Sequence, residues 1–403
     1  MWVPVFVLGK KAGHICGACR IGWHDRCLGR KGRGGRMKKN RQKGIRVMQI
    51  GIVIELIGIG LLGIVAGGMS RLRAHAWLAE RERAGREAVI HVSGEVLKEE
   101  AEEDYIKWVD FNVTQEAMQR ALQYDLDTYG TDCHIDWIVL LAYAGCRGGG
   151  EFGKKSLEYI DVAASALSEG KSATEFSEEL QYFDYYYEAY RAVLSGFVGE
   201  YQVADENGEY RTCYGVKAFS PIAGGFAYDD YDDFGASRSY GYERVHLGHD
   251  MMGVIGTPVI AIESGYVEAI GWNRYGGWRI GIRSFDGKRY YYYAHLRQNY
   301  PYAEGLCEGS VVTAGDVIGY MGHTGYSTEE NVNNIETVHL HWGMQLIFDE
   351  SQKDGANEIW IDCYELTKFL AGYRSAVRKV GDTREWVRVQ EMIDPAVTEY
   401  LRE

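Results

Sequence analysis

Two short histidine motifs, far apart in the chain, hold the residue types that bind a catalytic metal ion. The first, at 246–250, reads His-Leu-Gly-His-Asp, and the second, at 339–341, reads His-Leu-His. Imidazoles and carboxylates are ligands of catalytic zinc, which keeps three protein ligands and one open position for water. Zinc lowers the pKa of that water to about 7, so that hydroxide is available at neutral pH. The two motifs therefore predict a hydrolytic zinc site.

The periodicity of a strand predicts which of these side chains face one another. On a β-strand, successive side chains point to opposite faces of the sheet. His246 and Asp250 then share a face, Gly248 leaves room for an ion between them, and His249 points away. With one histidine of the second motif they form a predicted His/Asp/His ligand set.

The second motif leaves one choice open. His339 and His341 share a face by the same periodicity, so that one binds the metal while the other addresses water or substrate. The pattern does not decide between them. The sequence at 293–296 predicts a third strand, with His295 on the same face as Tyr293. Other histidines are predicted to be ordinary surface or core residues: His75, His91, His134, His249 and His323.

Charge is unevenly distributed along the 403 residues, whose net charge is −13. Residues 1–47 are rich in Lys and Arg and contain one acidic residue, Asp25. The acidic remainder argues against a nucleic-acid-binding protein. Residues 48–68 carry one charge, Glu55, and are long and apolar enough to span a bilayer. We expect an uncleaved, single-pass transmembrane helix in the cell membrane, with the N-terminus cytoplasmic and the rest extracellular. A buried core helix and a cleaved signal peptide are the alternatives.

The basic leader at 1–47 is predicted to be disordered. Cys16 and Cys19 form half of a zinc-site signature, but only one further cysteine, Cys27, follows nearby. A small metal knuckle is therefore the weaker alternative. The eight cysteines of the chain show no spacing typical of a disulfide framework.

Periodicity divides the rest of the chain into four parts. Residues 69–104 are rich in Arg, Glu and Ala and indicate a solvated helical stalk. Residues 105–199 predict a small helical domain. Residues 200–348 change to short strands with glycine turns, which is typical of a mostly antiparallel sheet or sandwich. Residues 349–403 are predicted to be a C-terminal helical extension. The predicted fold class is therefore α+β multidomain.

Local signals place individual elements within these parts. Glycine-containing turns at 263–265, 286–287 and 314–316 each separate two apolar strands. The Asp-Gly dipeptide at 286–287 is the strongest of these signals, since it is typical of a hairpin. Near the C-terminus, helices are predicted at Tyr364–Lys379 and Glu385–Glu403.

Over residues 215–348, the motifs taken together resemble the lysostaphin-type metallopeptidases, peptidase family M23, which includes LytM-like wall hydrolases. The resemblance rests on five pieces of sequence: His246-x-Gly248-x-Asp250, Tyr293-Ala294-His295-Leu296, Ala314-Gly315-Asp316-Val317-Ile318-Gly319, Gly322-His323-Thr324-Gly325-Tyr326-Ser327 and His339-Leu340-His341.

The resemblance implies a role for each site residue. It implies that His246, Asp250 and His341 bind Zn²⁺, and that His295 and His339 are the catalytic histidines beside the metal-bound water. It also implies a β-sheet of the duplicated hybrid motif type with a groove above it. The implied substrate is the peptide of peptidoglycan, in its stems or cross-bridges, which suits a membrane-anchored bacterial chain that faces the cell wall.

Two departures from the family pattern accompany the resemblance. Residues Glu329–Val338 form an insertion before the second motif, which we expect to reshape one wall of the groove, and Trp342 follows that motif where another apolar residue is common. Two other functions compete with a zinc endopeptidase. A non-enzymatic scaffold or activator in an envelope complex would not need the complete ligand set, and a lipoyl-like carrier would explain the turns but not the histidines.

Overall fold

The computed structural model describes residues 105–205, 207–239, 243–353 and 357–402, which belong to one compact unit. The predicted leader, transmembrane helix and stalk, with the half zinc signature and with His75 and His91, lie outside the described residues. Within the described part of the chain, no helix is both long and apolar enough to cross a membrane.

The first part of this unit is helical, as predicted. Asp136 caps the second helix by accepting a hydrogen bond from the backbone N–H of Ile138, and Gly149 ends that helix in the left-handed conformation. Leu140 and Leu141 of this helix are fully buried, so that the other helices pack around it. The helices are α1 Gln115–Thr128, α2 Trp137–Gly148, α3 Lys154–Ser168, α4 Ala173–Glu179 and α5 Phe183–Leu194.

The second part consists mainly of antiparallel strands. Eight strands form the main sheet, in the order β11-β8-β9-β10-β13-β6-β3, with β14 beside β13. The strands are β1 Val198–Ala204, β2 Tyr210–Val216, β3 Asp229–Asp230, β4 Ser237–Ser239, β5 Glu243–Val245, β6 His249–Met252, β7 Pro258–Ile260, β8 Gly265–Asn273, β9 Gly277–Ser284, β10 Arg289–Ala294, β11 Val311–Val312, β12 Val317–Tyr320, β13 His339–Leu346, β14 Ile359–Trp360, β15 Val377–Lys379, β16 Trp386–Arg388 and β17 Met392–Ile393.

Side chains of β13 alternate between the core and an open groove. Leu340, Trp342 and Met344 are fully buried on the core face. His341 lies on the opposite face, where it lines a cavity together with Tyr292 of β10. This alternation follows from the pleat of the strand. One face of the main sheet therefore packs in the core, and the other face presents polar side chains to the groove.

One of the three predicted turns is a hairpin, and two are not. The hairpin at 286–287 is confirmed, because β9 pairs with β10 on either side of it. The strands around 263–265 and 314–316 do not pair with each other across their turns. Instead, β8 pairs with β11 and β7 pairs with β12. Each turn therefore passes the chain from one sheet to another.

The prediction that 349–403 is a helical extension is wrong for most of that segment. Its helices are short, α6 Tyr364–Leu370 and α7 Pro395–Tyr400, with a 3-10 turn at Glu350–Gln352. Gly381, with φ of 50°, allows the tight turn between β15 and β16, which pair with each other, and β17 pairs with β1. Strand partners far away in the sequence override the local helical pattern.

A buried ion pair joins the helices to the main sheet. Arg289 donates to both carboxylate oxygens of Glu263, at 2.7 and 3.0 Å, and to the backbone oxygen of Ala192 in α5 at 2.7 Å. Both charged residues are buried, with Arg289 only 1% exposed. A Cβ atom at Gly196 would lie 1.7 Å from Glu263 Oε1, so the chain after α5 approaches this pair as closely as glycine permits.

We expect Arg289→Met to lower the free energy of unfolding by about 3–5 kcal/mol, because it leaves the Glu263 carboxylate buried without its partner. Chemical denaturation of the full chain measures this. Arg211→Met, at an exposed position of β2, is the control and should change stability little. Adding Glu263→Gln to Arg289→Met should recover part of the loss; equal losses in the two single arginine variants would contradict this account.

Candidate metal centre

The pairing of β6 with β13 places a carboxylate opposite an imidazole. Asp250 and His341 are direct cross-strand partners, and His339 lies opposite Met252. Directly paired residues of antiparallel strands have their side chains on the same face. Asp250 Oδ1 lies 3.0 Å from His341 Nδ1 but 3.7 Å from His339 Nε2. The register thus brings His341, rather than His339, into contact with the carboxylate.

His246 reaches the same point by a different route from the predicted one. The 246–250 motif is not one strand, because β5 ends at Val245 and β6 begins at His249. The connection between them carries His246 Nε2 to 3.1 Å from Asp250 Oδ1 and 2.9 Å from His341 Nδ1. Strand alternation therefore gives the correct pairing of His246 with Asp250 for the wrong reason.

Gly248 makes room for a ring and not for an ion. A Cβ atom there would lie 2.5 Å from His341 Cε1 and 2.7 Å from its Nε2. No real side chain tolerates such contacts, so the close approach of His341 requires glycine in this connection.

The three side chains fit a metal ion. The possible ligand atoms of His246, Asp250 and His341 all lie within 4.8 Å of one another. His246 Nδ1 donates to the backbone oxygen of Asp233 at 3.1 Å, so that Nε2 is the nitrogen that faces the group and would bind an ion after losing its proton. Two nitrogens and a carboxylate oxygen about 3 Å apart suit one ion with bonds of about 2.0–2.2 Å.

Electrostatics at this point favour a bound cation. Burial alone would raise the pKa of Asp250, but the hydrogen bonds with His246 and His341 hold it far below its usual range. Burial opposes charge on His246, yet the carboxylates of Asp233 and Asp250 outweigh it and raise the pKa of His246 to about 9. The site is therefore a buried negative charge that attracts a proton or a metal ion.

His295 and His339 lie beside this group. Their ring centroids are 4.7 Å apart, and the ring centroid of His295 is 5.9 Å from that of His341. His295 Nδ1 donates to Thr324 O at 2.9 Å, and His339 Nδ1 donates to Thr337 O at 2.9 Å. Burial lowers the pKa of His295 well below its ordinary value. In each ring Nδ1 is thus engaged by a backbone oxygen, and Nε2 is the nitrogen left for the groove.

The predicted strand position of His295 is wrong. Strand β10 ends at Ala294, and His295 adopts φ of 60°. Tyr293, which was expected to share its face, is fully buried on the core side and pairs with Trp342. The left-handed backbone turns the imidazole out of the strand pattern and toward the groove.

The other described histidines lie apart from the metal group. His249 pairs with Trp342 on the core face, and its Nε2 lies 3.0 Å from Asp230 Oδ2. His134 Nε2 lies 3.0 Å from a carboxylate oxygen of Asp125 in the helical part. His323 Nδ1 donates to Ile335 O at 2.6 Å and so holds the insertion in place. Residues 334–337 of that insertion line the groove, whose cavity of about 810 Å³ opens over the five site residues.

Two further residues support the ligands, and sequence reasoning missed both. Asp233, 4% exposed, has a carboxylate oxygen 3.2 Å from His246 Nδ1 in addition to its backbone contact. Arg238 forms an ion pair with Asp233 and donates to Asp250 Oδ2 at 3.1 Å. The acidic run at 229–233 was the visible signal, but nothing in its spacing shows which carboxylate turns toward His246.

We expect Asp233→Asn to weaken metal binding by about 10- to 100-fold, because the outer carboxylate orients His246 and raises its basicity. Competition between the full chain and a chromophoric chelator for Zn²⁺ measures this. Asp230→Asn is the matched control, since Asp230 contacts His249 on the core side and no member of the metal group. Equal zinc affinities for the two variants would show that Asp233 has no such role.

Comparison with known proteins identifies the region that holds these residues. The model of peptidase family M23 matches residues 244–354. An L-Ala–D-Glu endopeptidase of Bacillus subtilis is 41% identical over 111 residues, which cover 28% of this chain and 32% of that protein. Lysostaphin of Staphylococcus simulans is 40% identical over 90 residues, covering 22% of this chain and 17% of that protein. The chain thus spans a third or less of the length of these relatives.

The chain is also similar in sequence to parts of two solved structures. The catalytic domain of lysostaphin from Staphylococcus simulans has 32% sequence identity, with 35% of this chain and 92% of that chain covered and a TM-score of 0.28. A putative glycyl-glycine endopeptidase, lytM, from Ruminococcus gnavus has 26% identity, with 67% of this chain and 92% of that one covered and a TM-score of 0.41. Residues 244–354 are therefore a peptidase family M23 domain, homologous to those of lysostaphin and the L-Ala–D-Glu endopeptidase.

Proposed function

We propose that this chain is a zinc-dependent endopeptidase that hydrolyses peptide bonds in the stem peptides or cross-bridges of peptidoglycan. The observation that carries the proposal is the convergence of His246, Asp250 and His341, with the rings of His295 and His339 beside them, on the floor of an open groove. The relatives of the domain support the same activity, since the names of the relatives reported above are those of endopeptidases or of lysostaphin.

Each of the five residues has a chemical task in this proposal. His246, Asp250 and His341 hold Zn²⁺, which supplies a Lewis acid and an acidic water when bound. The Nδ1 atoms of His295 and His339 donate to backbone oxygens, so that their Nε2 atoms are the ring nitrogens left for the groove. Such a nitrogen accepts a proton from the attacking water and returns it to the leaving amine. The backbone contacts keep both rings oriented while the proton moves.

Metal binding and catalysis should separate in two variants. We expect His341→Ala to lose both zinc and peptidoglycan digestion, because it removes a ligand. His295→Ala should keep its zinc and lose about 10²- to 10⁴-fold in rate, the usual contribution of a general acid or base. Zinc content by mass spectrometry and release of peptide fragments from purified cell walls measure the two effects.

His134→Ala, in the helical part, is the control and should retain both zinc and activity. Digestion that survives in His341→Ala would refute the assignment of this site. A wild-type chain that binds zinc but releases no fragment would favour the second candidate, a non-enzymatic scaffold or activator in an envelope complex.

The order of charge and hydrophobicity at the N-terminus supports a proposed location. Residues 48–68 would anchor the chain in the cell membrane, since the basic residues before them favour the cytoplasmic side. The M23 domain would then lie outside, where peptidoglycan is found. Protease added to intact protoplasts should remove the domain and leave the leader protected; a protected domain would contradict this orientation.

A further inference from the structure

The groove continues past the metal group as a second cavity of about 730 Å³ on the far side of His341. Its floor is the open face of the sheet, where Tyr292 of β10 lies between its cross-strand partners Gly343 and Gly281. A Cβ atom at Gly343 would lie 2.9 Å from the ring of Trp360, so that this indole packs directly over the glycine and forms one wall. The ring centroid of Trp360 is 6.3 Å from that of Tyr292.

Charged side chains on this side are unevenly matched. Lys353 is paired with Glu268 at 2.5 Å, and Glu358 accepts a hydrogen bond from the indole N–H of Trp360 at 2.7 Å. Arg244 and Arg279 also line the cavity, and neither has a carboxylate partner among the residues that the structure describes. Two guanidinium groups without an ion-pair partner therefore face a single such carboxylate, that of Glu358, beside an aromatic wall.

Arg244 stacks on an aromatic ring and has a buried hydrogen-bond donor without an acceptor. Its guanidinium lies over the ring of Tyr326, 4.7 Å from the centroid, and its Nε is buried without a hydrogen-bond partner. A buried hydrogen-bond donor without an acceptor destabilises the folded protein unless a ligand supplies the acceptor. The charges of Arg244 and Arg279 both act on Tyr292, which places the two side chains around one part of the groove.

Among the described residues that line the other side of the metal group, only the shared Arg244 is an arginine or lysine without a carboxylate partner. Arg238 lines that cavity, but its guanidinium is already bound to Asp233 and Asp250. Glu336 of the insertion adds a negative charge there. The two halves of the groove therefore differ in charge, since on the Trp360 side two guanidinium groups without an ion-pair partner outnumber the one such carboxylate, Glu358.

We propose that the Trp360 side is a subsite for a carboxylate-bearing residue of an acidic peptide, bound by Arg279 and Arg244. This inference rests on the proposed function and deepens it. Guanidinium groups form paired, charge-assisted hydrogen bonds with carboxylates, and low water access strengthens them. The subsite selects stem peptides that contain a free glutamate carboxylate over glycine cross-bridges, which offer no side-chain charge. Arg279 is thereby a specificity-determining residue.

Binding of two peptides that differ by one charge tests the subsite. The probes are L-Ala-γ-D-Glu-L-Lys and the same peptide with its glutamate α-carboxylate amidated, titrated calorimetrically into the zinc-free full chain. We expect the acid to bind about tenfold more tightly than the amide, as for a hydrogen bond between charged groups. Arg279→Gln should remove this difference, and Arg279→Lys, which keeps the charge but not the paired donors, should retain part of it.

Two variants guard against indirect effects. Arg244→Gln should also reduce the difference, whereas Arg211→Gln, exposed on β2 and away from the groove, should leave it unchanged. Equal binding of acid and amide by the wild-type chain would overturn the subsite, and so would a difference that survives in both Arg279→Gln and Arg244→Gln.

Cleavage by the zinc-loaded chain separates this inference from the proposed function. Preferred cleavage of the acid over both the amide and pentaglycine supports the two together. If the chain binds the acid selectively but cleaves no peptide, the subsite is supported and the proposed endopeptidase activity is rejected. If pentaglycine is cleaved at the same rate as the acid, and the acid and the amide bind equally, the subsite is rejected and the proposed endopeptidase activity is supported.

Discussion

The register between β6 and β13 is the constraint on which the candidate metal centre depends. It places Asp250 directly across from His341, two residues that are 91 positions apart in the chain. A slip of β13 by one residue would turn His341 to the core face and bring Trp342 into the groove. The fully buried Leu340, Trp342 and Met344 oppose such a slip, because it would replace this apolar row by His339, His341 and Gln345 on the core face. Packing on the core face of the sheet thus fixes the positions of Asp250 and His341 on the groove face.

The backbone around the ligands is adapted to this crowded geometry. Gly248 admits the ring of His341, and the left-handed conformation of His295 turns its imidazole out of the strand order. Asp233 and Arg238 surround the ligands with a second layer of charge. Each of these features places a polar group where strand geometry alone would not, which is typical of sites that are preorganised for function.

The helical part and the C-terminal segment are built into the same unit as the sheet. Arg289 and Glu263 connect α5 to β10, and the ring of Trp137 in α2 stacks on Phe369 of α6 at 5.9 Å. The buried carboxylate of Asp394 accepts hydrogen bonds from Lys217 and Ser264. These contacts lie away from the groove, so their contribution is to the stability of the sheet that carries the site.

Much of this protein can be inferred from its sequence because the signals are local. Glycine turns and apolar alternation predict an antiparallel sheet, and helical spacing predicts the helices of 105–199. Residue types and short motifs point to a His/Asp/His ligand set and to the resemblance with peptidase family M23. The C-terminal strands escaped prediction because their partners are distant in the sequence.

Tertiary structure decided what depends on pairing between distant segments. Periodicity could not choose between His339 and His341, and cross-strand register brings His341 to Asp250. It also could not place His246, which lies in a connection and not in a strand. Arg244 and Arg279 line one cavity only because β5 and β9 meet at the groove. Sequence by itself determined which residue types are available for the proposed chemistry; the register of the sheet, set by burial of its core face, decided which of their atoms meet.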